Sequence, residues 1–509
     1  MMDTTCSSGL ARRTVVLAAV CVAALAMPLS FSAGAVATPA IGLDLGGSPA
    51  AMNWITNAFM LTFGSLLMAA GTLADRFGRK RLFACGVAGF TLSSLALGFA
   101  PSVLAVDLLR AAQGVAAAAT LAGGTAALAQ EFDGHARTRA FSLLGTTFGI
   151  GLAFGPVLAG WLIAAFGWRA IFSTGALAGV LSLTFGVPRM HESRDPHARQ
   201  VDWAGTMTFT AALACFTYGV IEAPSSGWMS TPVVSSLSAS VAFAVAFVIV
   251  ELRSERPMLD VSLFRYPRFV GVQVLPIATC YCYIVLLVVL PLRFIGIEGY
   301  DAIQAGWLML ALSAPMLVVP FIAATLTRWM SAGAISGLGL LIAAAGLHAL
   351  AGGLRTRTGL AAITPMIAIG VGAALPWGLM DGLSVSVVPK SRAGMATGIF
   401  STTRVAGEGV ALAIVNALLA ALAQRSLHAA APAVAPGTLN EAAARLATGD
   451  LAHAAAKLPE IAQATLHAAY DSAFDQLLDG LTLITLLSAL AVFAFLGRVR
   501  AQDEPVTAK

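Results

Sequence analysis

Charge is what this sequence has least of. Only 11% of its 509 residues are Asp, Glu, Lys or Arg, against roughly 25% in soluble domains, so a water-soluble globule is excluded. Nucleotide-driven chemistry lacks its signature: no G-x-x-x-x-G-K-[ST] string occurs, and that loop is what cradles ATP phosphates. No H-E-x-x-H occurs, and the seven histidines form no cluster. The six cysteines (Cys6, Cys21, Cys85, Cys215, Cys280 and Cys282) are scattered without zinc or disulfide spacing. Gly149-Ile-Gly151-Leu-Ala-Phe-Gly155 misses a dinucleotide fingerprint by one residue and lies in an apolar run with no strand before it. No catalytic residue, metal site or cofactor is therefore expected, and no enzyme. The net charge of +5 sits in the links between apolar runs. It is explained by membrane topology rather than by nucleic acid.

What is abundant is apolar sequence, 58% of the chain, with 50 glycines. Small residues let helices pack closely in lipid, and a run near 20 residues spans a bilayer core of about 30 Å. Fourteen such runs can be read, the first at residues 14–38, the third at 82–100 and the last at 477–496. The first imitates a secretory signal, with Arg12-Arg13 ahead of an apolar stretch. It continues to residue 41, however, and is read as an uncleaved helix. With both termini inside, cytoplasmic segments hold 21 of the 30 Lys and Arg and outer segments hold 7, the bias that sets orientation in the inner (plasma) membrane. The expected layout is a cytoplasmic segment 1–13, a six-helix bundle 14–187, two inserted helices in 201–250, a second six-helix bundle 269–496 and a cytoplasmic tail 497–509. The second bundle carries an external link, 424–475, read as short surface helices over the outer face, one of them capped by Asn440.

Four constellations could carry chemistry. Gly71-Thr-Leu-Ala-Asp75-Arg76-Phe-Gly78-Arg79-Lys80-Arg81 lies between apolar runs 55–70 and 82–100. Its cations are too costly for hydrocarbon and place it in water. Gly71 is expected to allow close helix approach and Gly78 a tight turn. Asp75 is placed to pair with Arg76, Arg79 or a partner helix. Arg110 lies about eight residues into the fourth run, roughly 12 Å deep at 1.5 Å per residue, with Gln113 and Gly114 on its face. Intramembrane charge is a functional-site hypothesis by default, although a snorkelling arginine is the plainer alternative. In the fifth run Gly151, Gly155, Pro156 and Gly160 combine a missing backbone donor with close-packing positions. Arg404 and Glu408, four apart, are expected to form an ion pair within one helix. That pair is either structural or a proton switch. Glu222 and Asp381 lie near run ends and read as interfacial.

The first string resembles the loop signature, motif A, of the major facilitator superfamily. Leu109-Arg110-Ala-Ala-Gln113-Gly114 resembles its motif B, whose arginine is linked to proton transfer, and Gly151 to Gly160 resembles motif C, the antiporter signature. Trp54-x-x-Asn57-Ala58-Phe59, Trp168-Arg169-Ala-Ile-Phe172, Asp202-Trp203-Ala-Gly205 and the stretch from Pro257 to Arg265 resemble the fourteen-helix drug:proton antiporter branch. The resemblance implies an all-α membrane protein with two six-helix bundles alternating about a central cavity. It also implies proton-coupled efflux of small, fairly apolar compounds by a chain whose partners are substrate, protons and lipid, and which acts as a monomer. Transport of one particular metabolite, or a non-transporting sensor on the same fold, stay open, because fold alone does not give function. Two departures stand out. Ser30 occupies the position where the branch often has an acid in helix one, and Gly175 and Leu177 replace an Asn and a Pro after the W-R-x-x-F string. With Ser30 in place, Glu408 is the most central carboxylate available for proton coupling.

Overall fold

The computed structural model describes residues 3–132, 134–194, 202–254, 259, 261–355, 360–388, 393–432 and 434–497. Among them no strand occurs. In sequence order the helices are α1 (Asp3–Leu45), α2 (Pro49–Phe77), α3 (Arg79–Leu97), α4 (Val103–Glu131), α5 (Gly134–Phe166), α6 (Ile171–Leu181), α7 (Trp203–Ser226) and α8 (Thr231–Arg253). The second half holds α9 (Pro267–Thr279), α10 (Val285–Pro291), α11 (Ala302–Ser313), α12 (Pro315–Leu326), α13 (Ala332–Arg355), α14 (Leu360–Ser386), α15 (Ala393–Ala430), α16 (Pro436–Ala447), α17 (Leu451–Lys457) and α18 (Gln463–Leu496). A π-turn, Cys280–Ile284, joins α9 to α10, so together they form one crossing.

Thirteen segments among the described residues are long and apolar enough to cross a membrane. The difference from the fourteen expected lies at α3, a 19-residue helix that begins on Arg79, Lys80 and Arg81. Three cations in one turn dilute its apolarity. The helix itself is present and packs between α4 and α6. Gly86 and Gly123 allow this: a Cβ on Gly86 would stand 2.5 Å from the Thr120 nitrogen, and one on Gly123 would stand 2.6 Å from the Phe83 nitrogen.

The packing falls into two groups. In the first, α2 lies on α4, α4 on α3, α1 on α5 and α6 on both α1 and α3. In the second, α13 lies on α14 and α18, α9 on α18, and α14 on α11 and α12. The groups meet where α2 packs on α15 and α5 on α11. The α7–α8 hairpin sits beside that seam, α7 touching α2 and α15, while α8 buries only Val233, Ser240 and Glu251. Asp202 explains one of the quoted strings. Its Oδ1 accepts from the Gly205 N–H at 2.7 Å, capping α7 at a donor the helix cannot satisfy itself.

The segment 424–475 departs from expectation. α15 runs on to Ala430 and α18 starts at Gln463, so both ends of the segment extend spanning helices. α16 is not a surface helix either. Leu439, Ala442, Ala443 and Leu446 are fully buried in the main apolar core, each leucine stabilising the contact by roughly 1.5–3 kcal/mol. Its start also differs: Pro436 occupies the first turn after Ala435, and Asn440 lies inside the helix. A proline at that position loses no hydrogen bond and is preset in φ, which outweighs the Asn cap. Lys457 Nζ lies 3.0 Å from Glu441 and clasps α17 to α16. The Lys457 hydrogen bond, against a smaller cost of burial, holds the Glu441 carboxyl below its ordinary value.

Candidate functional site

Among the described residues, Arg110 is the most enclosed charge of the first group. It is fully buried, and its guanidinium is held by three helices. Nε donates to the Ile55 carbonyl of α2 at 2.9 Å. Nη1 donates to Ser30 Oγ of α1 at 2.8 Å and to Gln113 Oε1 of α4 at 2.6 Å. Ser30 Oγ donates in turn to Gln113 Oε1 at 3.1 Å, and Gln113 Nε2 donates to Ser94 Oγ of α3 at 2.8 Å. The Phe59 ring lies under the guanidinium, 4.5 Å from ring centre to Cζ. Snorkelling is thereby ruled out. Ser30, the departure in helix one, is the residue that receives the arginine. A planar fork suits such a site because it satisfies several fixed acceptors at once. Gly114 and Gly34 make the room: a Cβ at Gly114 would overlap the Phe59 carbonyl, and one at Gly34 would stand 3.2 Å from Arg110 Nη2.

At the face bearing the termini, Gly78 has φ +114°, a conformation open essentially to glycine alone. The tight turn expected there is present. The expectation for Gly71 is corrected, since nothing lies within 4 Å of a Cβ built on it. Asp75 accepts from Arg79 at 2.9 Å, one turn on, and Arg79 also donates to Gln130 of α4. The segment after α6 closes the cluster. The Ser193 carbonyl accepts from Arg79 N–H at 3.1 Å, Glu192 accepts from Lys80 N–H at 3.2 Å, and Arg81 lies 3.6 Å from Glu192. Nearby, Arg12 grips both Glu131 oxygens at 2.9 and 2.8 Å. These ties all lie within the first group. Arg76 stacks on Phe77.

The α5 glycines face two ways. Gly151 and Gly155 back onto Pro28 and Ser32 of α1, while a Cβ on Gly160 would overlap the Ala302 carbonyl of α11. From the other side Gly306 of α11 lies on Pro156 and Val157, and Ser313 Oγ donates to the Ala153 carbonyl at 2.9 Å. The helix continues through Pro156, which supplies no N–H. This string is therefore a seam between the groups.

The second seam runs along α2 and α15. A Cβ at Gly64 would stand 2.5 Å from the Ala406 nitrogen, and Asn416 Nδ2 donates to Asn53 Oδ1 at 2.8 Å. The expected Arg404–Glu408 ion pair is not formed. Arg404 Nη1 instead lies 3.4 Å from Asp381 of α14, with the Trp377 and Phe400 rings each 5.8 Å from its Cζ. Four-residue spacing places two side chains on one face, but the cross-helix carboxylate has the better approach. Glu408 stays buried beside Cys280 of the π-turn, within reach of the Arg404 charge but making no hydrogen bond among the described residues. Glu222 accepts from Ser225 and Ser226 at the exposed end of α7, an end position as read from sequence.

Sequence reasoning passed over several residues. Asp44 closes α1, accepting from Trp168 Nε1 at 3.0 Å and from Arg169 at 2.6 Å, which gives the W-R string a clasp to make. Arg293 is fully buried against Glu298 and Asp471, each at 2.7 Å. Asp107, one turn before Arg110, went unread although D-x-x-R spacing puts both on one face. Of the string from Pro257 to Arg265, residues 257, 258 and 260 lie outside the described residues, and the rest comprises Leu259 and the turn Val261–Arg265.

Residues 19–412 match the family model described as "Major Facilitator Superfamily". The chain belongs to this superfamily. Among major facilitator relatives, the multidrug resistance protein Stp of Mycobacterium tuberculosis is 31% identical over 388 residues, covering 76% of this chain and 72% of that one. The tetracenomycin C resistance and export protein of Streptomyces glaucescens is 28% identical, covering 79% and 75%. A probable actinorhodin transporter of Streptomyces coelicolor is 30% identical, covering 75% and 68%. The fold is also that of a bacterial homologue of the human lysosomal transporter Spinster in an inward-facing, unoccupied form. The TM-score is 0.63 at 17% identity, covering 98% and 99% of the two chains. Membership in the major facilitator superfamily makes this a multi-pass membrane transporter of small molecules.

Proposed function

We propose that this major facilitator is a proton-driven exporter of small, fairly apolar compounds that works by alternating access. Supporting this reading are relatives named for resistance and export, and two seams lined by glycine at which helix groups can rock. The observation that carries it is Arg110, a fully buried cation held by neutral acceptors. Such a group is expensive in a membrane and is kept where charge movement is used. Glu408 is assigned to carry the proton in the second group, and the Asp75–Arg79 cluster to control exchange between states. The two groups are taken as the bundles 14–187 and 269–496, α7 and α8 as the insertion, and α3 as the fourteenth crossing. Both termini are cytoplasmic on this reading, by the 21-to-7 distribution of cations.

Susceptibility profiling tests the reading. A deletion strain is expected to become sensitive to several structurally unlike apolar compounds, and the complemented strain to recover. A growth defect confined to one metabolite, with unchanged drug sensitivity, would favour the metabolite-transport alternative. Topology has its own test. Single cysteines replacing Ser426 and Ser193, in a background stripped of native cysteines, should label from opposite sides with an impermeant thiol reagent. Equal labelling from outside would overturn the fourteen-crossing layout.

A further inference from the structure

Two buried polar atoms in α4 have no hydrogen-bond partner: Asp107 Oδ1 and Arg110 Nη2. They belong to side chains three residues apart, hence on one helix face. Arg110 is pinned through Nε and Nη1 alone, and every acceptor that holds it is neutral: the Ile55 carbonyl, Ser30 Oγ and Gln113 Oε1. Helical side chains lean toward the N-terminus of their own helix, which for Arg110 is the turn carrying Asp107.

We infer that Asp107 is the proton-carrying partner of Arg110, alternating between an ionised state drawn to Nη2 and a protonated state that leaves the arginine on its neutral acceptors. The inference rests on the proton-driven reading above and adds a residue to it. No bond other than the carboxyl O–H forms or breaks; the proton enters from one side of the membrane and leaves to the other. Asp107 stands one turn nearer than Arg110 to the face carrying α16, the side proposed to be outside. The described contacts of Arg110 and Gln113 include no titrating side chain. α1 contributes Ser30 and Gly34, α2 contributes Ile55 and Phe59, and α3 contributes Ser94. At that end of the bundle Asp44 and Arg169 are engaged with each other. With Asp107 ionised the pair is neutral. With Asp107 protonated a net cation remains in the bundle, and the protein is biased toward the arrangement that gives Arg110 water.

A substrate-free conformational readout tests this. Thr56 is buried and lines a small pocket at the seam between α2 and α15, so a cysteine there labels only when the seam opens. Its labelling by an impermeant maleimide in the purified full-length protein is normalised to a cysteine at the exposed Ser225, which corrects for thiol ionisation. Normalised labelling is expected to change about tenfold between about pH 5 and about pH 9. Made alongside Glu408→Gln, so that the second proposed carrier does not titrate, Asp107→Asn should be flat and held at the low-pH value, while Asp107→Glu in the same background should keep a pH response. Size-exclusion profiles check that both variants fold. A pH response in Asp107→Asn equal to that of the parent would overturn the assignment, as would a parent that shows no response. Because no substrate or gradient enters, failure of proton-driven export would appear separately, in flux measurements on vesicles.

Discussion

Arg110→Lys is expected to abolish most proton-driven export while leaving the protein in the membrane at normal abundance. Lysine keeps the charge but replaces a planar fork with a point charge on a flexible stem. The ammonium cannot at once reach the Ile55 carbonyl, Ser30 Oγ and Gln113 Oε1, which Arg110 bonds from two different nitrogens. Each hydrogen bond to a charged group contributes about 1.5–3 kcal/mol, so losing one lowers the population of the working arrangement by roughly 10- to 100-fold. Ser30→Ala should give a smaller loss of the same kind, since it removes one acceptor and leaves the other two. Transport rates per molecule of membrane protein distinguish these outcomes. An Arg110→Lys protein that exports at the parent rate would show that charge alone matters there, and the network would be packing.

Much of this was legible before any coordinates, for physical reasons. Intramembrane arginine is rare and costly, so Arg110 declares itself in a string of apolar residues, and Gln113 follows from helical spacing. Gly78 declares itself by sitting between Phe77 and Arg79 at the only place the chain can reverse. What spacing does not settle is which of several reachable partners a charge takes. Arg404 has Glu408 on its own face, yet its guanidinium lies at Asp381 on the neighbouring helix. Gly71 has the small side expected of a contact glycine, yet nothing packs on it. α16 is amphipathic, which suits a surface helix as well as a buried one; its burial depends on α15, α7 and α2 closing around it. Asp107 is readable from the D-x-x-R spacing that puts it on the face of Arg110.

The second large effect is expected at Glu408. Glu408→Gln removes the titrating proton but keeps the shape, in a position buried beside Cys280 and the π-turn Cys280–Ile284. Irregular turns of this kind inside helices are frequent at functional sites. The variant should still exchange substrate between the two sides of preloaded vesicles, because the seams at Gly64 and Gly160 are untouched. Its rate should no longer respond to an imposed pH difference. Retention of the parent's gradient dependence would remove Glu408 from the coupling path and leave Asp107 as the carrier.

One measurement bears most directly on the proposal as a whole. Purified protein in sealed vesicles, loaded with a compound to which the deletion strain is hypersensitive, is given a pH difference across the membrane and then a protonophore. The expected result is uphill movement of the compound while the gradient lasts, with counterflow of protons, and collapse to passive leak when the protonophore is added. Uphill movement that survives the protonophore, or flux indifferent to the gradient from the start, would contradict proton-driven export by this chain.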